Sequence, residues 1–173
     1  GGTANAGTLE TDTIVVGYTG YGTGETLTID GDLTVNTGDG DDAISVAAGG
    51  TVSVAGRADL ATSNAGDALV LVAGDGDDAV TIAAAHAWTT IDVQGGNPSA
   101  SDTASLTGDG TAVTVTLSGS SSVSGGGLGT VNLSGIETAT VTNAGDVSVD
   151  GSSGADDYTV RPTAANTATI TVA

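Results

Sequence analysis

The chain has no Cys, Met, Phe or Lys, and its only cationic side chains, Arg57 and Arg161, face 21 Asp and Glu residues. Without Cys there is no disulfide framework and no thiolate metal site. A formal net charge of -19 leaves no basic surface for phosphates, and it opposes binding to an anionic membrane. No apolar run reaches the ~20 residues of a membrane span. The composition therefore excludes nucleic acid as a partner, and it excludes insertion into a membrane.

The apolar residues are small. Hydrophobic residues make up 38% of the chain but aromatics only 2%, and most of the apolar residues are Ala and Val. We therefore expect a thin core. Because the negative charges of so acidic a chain repel one another in the compact state, we also expect a bound cation. The missing initiator Met indicates a mature piece of a longer chain, which we expect to be secreted or displayed on a cell surface.

Short β-branched runs of period two follow one another along the whole chain, separated by Gly, Asp, Asn and Ser. They predict an all-β protein, either a parallel β-helix (β-solenoid) or, as the alternative, tandem Ig-like β-sandwiches. The predicted strands lie at 13–16, 26–29, 33–35, 44–46, 51–54, 69–72, 80–82, 91–93, 113–117, 131–133, 147–149, 158–160 and 170–172.

The sequence also repeats internally. Residues 50–94 align without gaps on 129–173, and both segments hold an Asn-Ala-Gly-Asp run followed in register by Asp-Asp. This predicts two unequal β units, 1–94 and 95–173. The first contains an additional acidic turn and a Gly/Tyr-rich loop at 17–24. Because a tandem array continues beyond one unit, we expect head-to-tail contact with further copies.

Two turns carry Gly-Asp-Gly-Asp-Asp, at 38–42 and 74–78, and a looser Gly-Ala-Asp-Asp follows at 154–157. Glycine lets a turn direct its carbonyls inward, and carboxylates are the hard oxygen donors that Ca²⁺ prefers. A solvated turn is the alternative explanation. The predicted calcium ligands are Asp39, Asp41, Asp42, Asp75, Asp77, Asp78, Asp156 and Asp157.

These turns resemble the RTX (hemolysin-type) calcium-binding repeat. More broadly, the chain is similar to the Gly/Asp/Thr-rich repeats of giant bacterial secreted and surface proteins, through the segments 91–96, 101–103, 133–137 and 156–160. In RTX proteins the nonapeptides are consecutive, and each ion lies between neighbouring turns. Here the two best turns are 36 residues apart. A rung of about 36 residues would stack them directly, and one of about 18 would separate them by two rungs.

The function we expect is a non-catalytic, structural or adhesive extracellular module that contacts copies of itself and extracellular glycan or a cell surface. A polysaccharide-binding or polysaccharide-cleaving β-helix and an Ig-like spacer are the alternatives. We predict no catalytic residues, and for His86 and Trp88 we predict a surface or capping contact. Asp102 precedes a Thr after a Gly-Gly pair and either ligates a cation or caps a turn.

Overall fold

The computed structural model describes residues 12–15, 26–29, 31–55, 59–62, 66–97, 101–117, 121–153, 158–164 and 167–172. These residues form seventeen strands and no helix, so the all-β prediction is confirmed. Each of the thirteen predicted runs overlaps a strand, and four further strands were not predicted. The strands are β1 (Asp12–Val15), β2 (Thr26–Ile29), β3 (Leu33–Asn36), β4 (Ala43–Val46), β5 (Val52–Val54), β6 (Asp59–Thr62), β7 (Ala68–Val72), β8 (Ala79–Ala83), β9 (Thr90–Gln94), β10 (Thr103–Thr107), β11 (Val113–Thr116), β12 (Ser121–Gly125), β13 (Thr130–Ser134), β14 (Thr138–Thr142), β15 (Val147–Asp150), β16 (Tyr158–Ala164) and β17 (Thr167–Val172).

The strands form two mixed sheets. The first sheet has the order β1-β3-β7-β9-β13-β12-β11-β15, and the second has the order β16-β17-β14-β10-β8-β4-β5-β6-β2. At the centre, β3-β7-β9-β13 of the first sheet and β4-β8-β10-β14 of the second are parallel throughout. The chain passes from a central strand of the first sheet to one of the second four times: from β3 to β4, β7 to β8, β9 to β10 and β13 to β14.

The core is built from alternate side chains of these strands. Leu69 and Leu71 of β7 are 0% exposed, and Val80 and Ile82 of β8 belong to the same hydrophobic cluster. Period-two alternation places such side chains on one face of a strand, which explains why the sequence pattern located these strands. Trp88 is also in this cluster, only 2% exposed, and its Nε1 donates to the Gly50 carbonyl at 2.8 Å. The prediction of a surface contact for Trp88 was therefore wrong.

The sheets follow the 79-residue repeat only in part: the equivalent strands β6 and β14, β7 and β15, and β8 and β16 share a sheet, but other equivalent strands do not. Val52 and Val131 are equivalent in the repeat, yet β5 lies in the second sheet antiparallel to β4, whereas β13 lies in the first sheet parallel to β9. Both sheets run across the predicted boundary at 94/95, because β8 pairs with β10 and β9 pairs with β13. The division into 1–94 and 95–173 stays a prediction, and the loop at 17–24 lies outside the described residues.

Candidate functional site

The two Gly-Asp-Gly-Asp-Asp turns lie directly on top of one another. Each joins a strand of the first sheet to a strand of the second, and Ala43 of β4 pairs with Ala79 of β8. Equivalent residues of the two turns are therefore 36 positions apart and neighbours in space. The next two strand pairs of the second sheet have other offsets in the sequence. Ala79 pairs with Thr103, 24 residues later, and Thr103 pairs with Thr138, 35 residues later.

Hydrogen bonds between the two turns use both backbone and carboxylate groups. The Gly40 amide donates to the Asp75 carbonyl at 2.6 Å. The Asp77 amide donates to Oδ1 of Asp41 at 3.1 Å, and the Asp42 amide donates to Oδ1 of Asp78 at 2.7 Å. Carboxylates thus bridge adjacent turns, as charge-assisted acceptors for backbone amides.

Four acidic residues continue this arrangement through the stack. Asp42, Asp78, Asp102 and Glu137 each immediately precede a central strand of the second sheet, and we call them the acidic column. The Asp78 amide donates to Oδ1 of Asp102 at 2.8 Å, and the Asp102 amide donates to Oε2 of Glu137 at 2.9 Å. The carboxylates of Asp78, Asp102 and Glu137 therefore each accept the backbone amide of the preceding member of the column.

The interior of the acidic column leaves polar atoms unsatisfied. Asp78 is 1% exposed and Asp102 is 0% exposed. Oδ2 of Asp42, Asp78 and Asp102 is buried and has no hydrogen-bond partner in the described part of the chain. A buried ionised carboxylate with an unsatisfied oxygen is strongly destabilising, so such a group binds either a proton or a cation.

Burial raises the pKa of Asp78. The amide hydrogen bond from Asp42 acts in the opposite direction, while the negative charges of Asp102, Asp42 and Asp41 raise the pKa further. The same physics that favours a proton here favours any cation that can reach the column.

Glycines allow the turns to pack this closely. A Cβ on Gly74 would overlap the Gly38 carbonyl oxygen, and a Cβ on Gly96 would overlap that of Gly74. A Cβ on Gly95 would overlap the Gly135 carbonyl oxygen and lie 2.6 Å from Oδ2 of Asp102. The spacing of glycine in these turns therefore reflects stacking as well as turn conformation, and it brings a backbone carbonyl close to an unsatisfied carboxylate oxygen.

The predicted ligands separate into two groups. Asp39, Asp41, Asp75 and Asp77 are exposed at the turn surface, whereas Asp42 and Asp78 belong to the acidic column. Asp156 and Asp157 lie outside the described residues. Across the described ranges, no three acidic or His side chains converge on one point as a metal cage. A cation in the column would thus rely on one or two carboxylates together with backbone carbonyls.

Sequence reasoning left Asp102 open and missed Glu137. The signal that both share with Asp42 and Asp78 is position, directly before a strand whose alternate residues are Thr, Ser or Ala. Neither residue lies in a Gly-Asp-Gly turn, so a search by motif could not find them. Their equivalence appears only when the strands are paired.

His86 lies in the connection between β8 and β9, and burial lowers its pKa from the ordinary value of 6.5. The neutral imidazole is therefore favoured in the folded state. The contribution of neutral His86 to stability is fully present above the pKa that this residue has in the unfolded state. It is lost as the pH falls through the pKa that the residue has in the folded state. We expect acidification from about pH 7 to destabilise the wild type more than His86→Gln, since both proteins share every carboxylate. Urea denaturation of both proteins across this range tests the expectation, and a difference that does not change with pH would contradict it.

Comparisons with models of protein families, with curated proteins and with solved structures find no match. In the part of the chain that the structure describes, no helix is long and apolar enough to span a membrane.

Proposed function

We propose that this chain is a calcium-stabilised β-solenoid, a non-catalytic structural or adhesive module of an extracellular fibre, matrix or long repeat protein. The parallel pairing of the eight central strands supports the solenoid. Ig-like sandwiches consist of antiparallel sheets, whereas antiparallel pairs here occur only outside the central block of described strands.

One observation carries the proposal of calcium binding: three adjacent carboxylates each have a buried oxygen that lacks a hydrogen-bond partner in the described part of the chain. Their chemistry fits the ion, because Ca²⁺ takes six to eight oxygen ligands at about 2.3–2.6 Å. Neighbouring strands are about 4.7–4.9 Å apart. This distance is close to twice a Ca²⁺–oxygen bond, so oxygens on two adjacent turns could face one ion. Bound calcium would neutralise charge at the column and link the turns.

Head-to-tail contact between copies is supported by the direction of the outermost strands. β1 and β2 lie at one end of the two sheets, and β15 and β16 lie at the other. Following the pairings through each sheet, all four run in the same direction as the central strands. The first strands of one copy can therefore continue both sheets of the preceding copy with parallel pairing. Unpaired sheet edges of this kind are sites of strand addition.

The edge of β15 provides a specific test of this contact. The Asp146 and Asp150 carbonyls accept from the amides of Val113 and Leu117, so the Val149 amide faces the open edge in a parallel ladder. Proline at an edge removes that donor with little harm to the sheet. We expect wild-type protein to form filaments in calcium by negative-stain electron microscopy, and Val149→Pro to remain as discrete particles. Circular dichroism checks that the variant is folded.

Monodisperse wild-type particles at all calcium concentrations, or filaments of Val149→Pro indistinguishable from wild type, would contradict the contact. Solution scattering by the isolated particle is a separate test of the fold. An elongated rod is expected for a solenoid, and two compact bodies would indicate sandwiches.

A further inference from the structure

The outward face of the second sheet carries an ordered set of hydroxyl groups. Its middle row runs across β4, β8, β10 and β14 and consists of Ser45, Thr81, Ser105 and Thr140, paired one to one. The pairings across these four strands show no bulge or shift of register. We call the outward Ser and Thr side chains of these strands the hydroxyl array.

The hydroxyl array continues on either side of the middle row. On β10, Thr103 and Thr107 flank Ser105, and all three are exposed. On β14, Thr138 and Thr142 flank Thr140 and pair with the two β10 threonines. The next strand, β17, places Thr171, Thr169 and Thr167 at the register positions opposite those of β14.

Most of these hydroxyls have no hydrogen-bond partner among the residues that the structure describes. Thr81, Ser105 and Thr140 make no side-chain hydrogen bond in the described part of the chain, and Thr103 makes one long contact, 3.4 Å to the Asp78 carbonyl. The outward face of the first sheet differs in composition, because Asp92, Gln94 and Asn132 lie among its threonines, and Asn132 donates to Asp92 at 2.5 Å. The uninterrupted set of paired hydroxyl side chains therefore lies on the outward face of the second sheet.

The hydroxyl array is also uncharged. β4, β8, β10 and β14 contain no Asp, Glu or Arg, although the chain as a whole carries a net charge of -19. They contain no aromatic residue either. Stacking on the sugar rings of a polysaccharide would favour aromatics, and a protein interface would favour aromatic and Arg anchors. The face suits a neutral partner that presents regularly spaced hydrogen-bonding groups.

The spacing of the hydroxyl array suits a regular lattice of water molecules. Neighbouring strands repeat every 4.7–4.9 Å or so, and alternate residues along a strand repeat about every 6.6 Å. The distance between neighbouring strands is close to the distance between repeating oxygen atoms on the prism face of hexagonal ice. Threonine is stiff at χ1, so its hydroxyl and methyl groups keep fixed positions with little loss of entropy on binding. Charged groups would hold their own hydration shells and disturb such a lattice.

We propose that the hydroxyl array binds ice through an ordered layer of water. This site is separate from the acidic column and does not depend on the proposed calcium binding. It would let an extracellular module attach to an ice surface or limit the growth of ice crystals.

The experiment measures incorporation of fluorescently labelled protein into a slowly growing ice hemisphere, and the shaping of single ice crystals. Thr81→Tyr and Ser105→Tyr place bulk within the hydroxyl array while retaining a good strand former. Thr130→Tyr makes the same kind of change at an exposed position of the first sheet. We expect wild type and Thr130→Tyr to enter ice, and each array variant to lose at least about tenfold in the incorporated fraction.

Melting curves and calcium responses like those of wild type show that the variants are folded. Wild-type protein that is rejected from ice overturns the proposal, and so does an equal loss for Thr130→Tyr. Retention of crystalline cellulose or chitin that Ser105→Tyr abolishes, without ice incorporation, would instead assign the face to a polysaccharide. Incorporation into ice is measured separately from the response to calcium or chelator. Failure of the ice test can therefore be distinguished from failure of the calcium test.

Discussion

Gly74→Ala is expected to lower the free energy of unfolding by about 3–5 kcal/mol, whereas Gly38→Ala should lower it by only about 1–2 kcal/mol. The two glycines occupy the same position of the two Gly-Asp-Gly-Asp-Asp turns, with φ of 102° and 90°. Both substitutions therefore carry the strain of a side chain at positive φ. Only the Cβ of residue 74 meets the backbone of the neighbouring turn, because no atom lies within 4 Å of a Cβ at Gly38.

This pair of variants isolates stacking from local conformation. Urea denaturation followed by circular dichroism gives both values in the same buffer, with chelator present so that metal binding does not contribute. Equal losses for the two variants would show that the turns do not stack at this position. A larger loss for Gly38→Ala would show that the Cβ of residue 38, and not that of residue 74, meets the backbone of the neighbouring turn.

Asp78→Asn is expected to change stability in opposite directions with and without calcium. In chelator, the neutral amide removes a buried charge and can donate to an unsatisfied carboxylate oxygen, so the variant should unfold at a higher temperature than wild type. In calcium, the variant lacks a charged ligand, gains little from the ion and should unfold at a lower temperature than wild type. Replacing buried ionised groups by neutral ones commonly stabilises proteins by about 1–4 kcal/mol.

Asp150→Asn removes the same unit of charge at an exposed position on β15 and serves as the control. Thermal unfolding of the three proteins in chelator and in calcium provides the comparison. If Asp78→Asn destabilises the protein in chelator as much as in calcium, the acidic column is stabilising without metal. If Asp150→Asn behaves like Asp78→Asn, the effect is one of net charge.

The sequence located the strands whose buried residues are aliphatic. Leu69 and Leu71 of β7 show the alternation that predicts a half-buried strand, and they are fully buried. β10 and β14 were missed because Thr, Ser and Ala replace most of the β-branched aliphatics, which weakens the contrast between the two faces. That same composition gives β10 and β14 six of the hydroxyls of the hydroxyl array.

The candidate site was predicted only in part. The Gly-framed turns indicated Asp42 and Asp78 because their motif is local. Asp102 and Glu137 join them through pairings over 24 and 35 residues, and an irregular spacing of this kind cannot be read from one sequence. The direct stacking of the two turns likewise required the register of β4 on β8. The 79-residue repeat relates some strands of different sheets, such as β5 and β13, and it did not indicate the 36-residue offset between the two turns.

The central claim is that calcium bound at the acidic column stabilises the fold. Its most direct test is the free energy of unfolding of wild-type protein in saturating calcium and in excess chelator, at one pH and matched ionic strength. One site filled at a hundred times its dissociation constant adds about 2.7 kcal/mol. We predict a gain of at least this size in calcium, and much less in magnesium, which demands a tighter octahedral geometry. Identical unfolding curves in calcium and in chelator would contradict the claim.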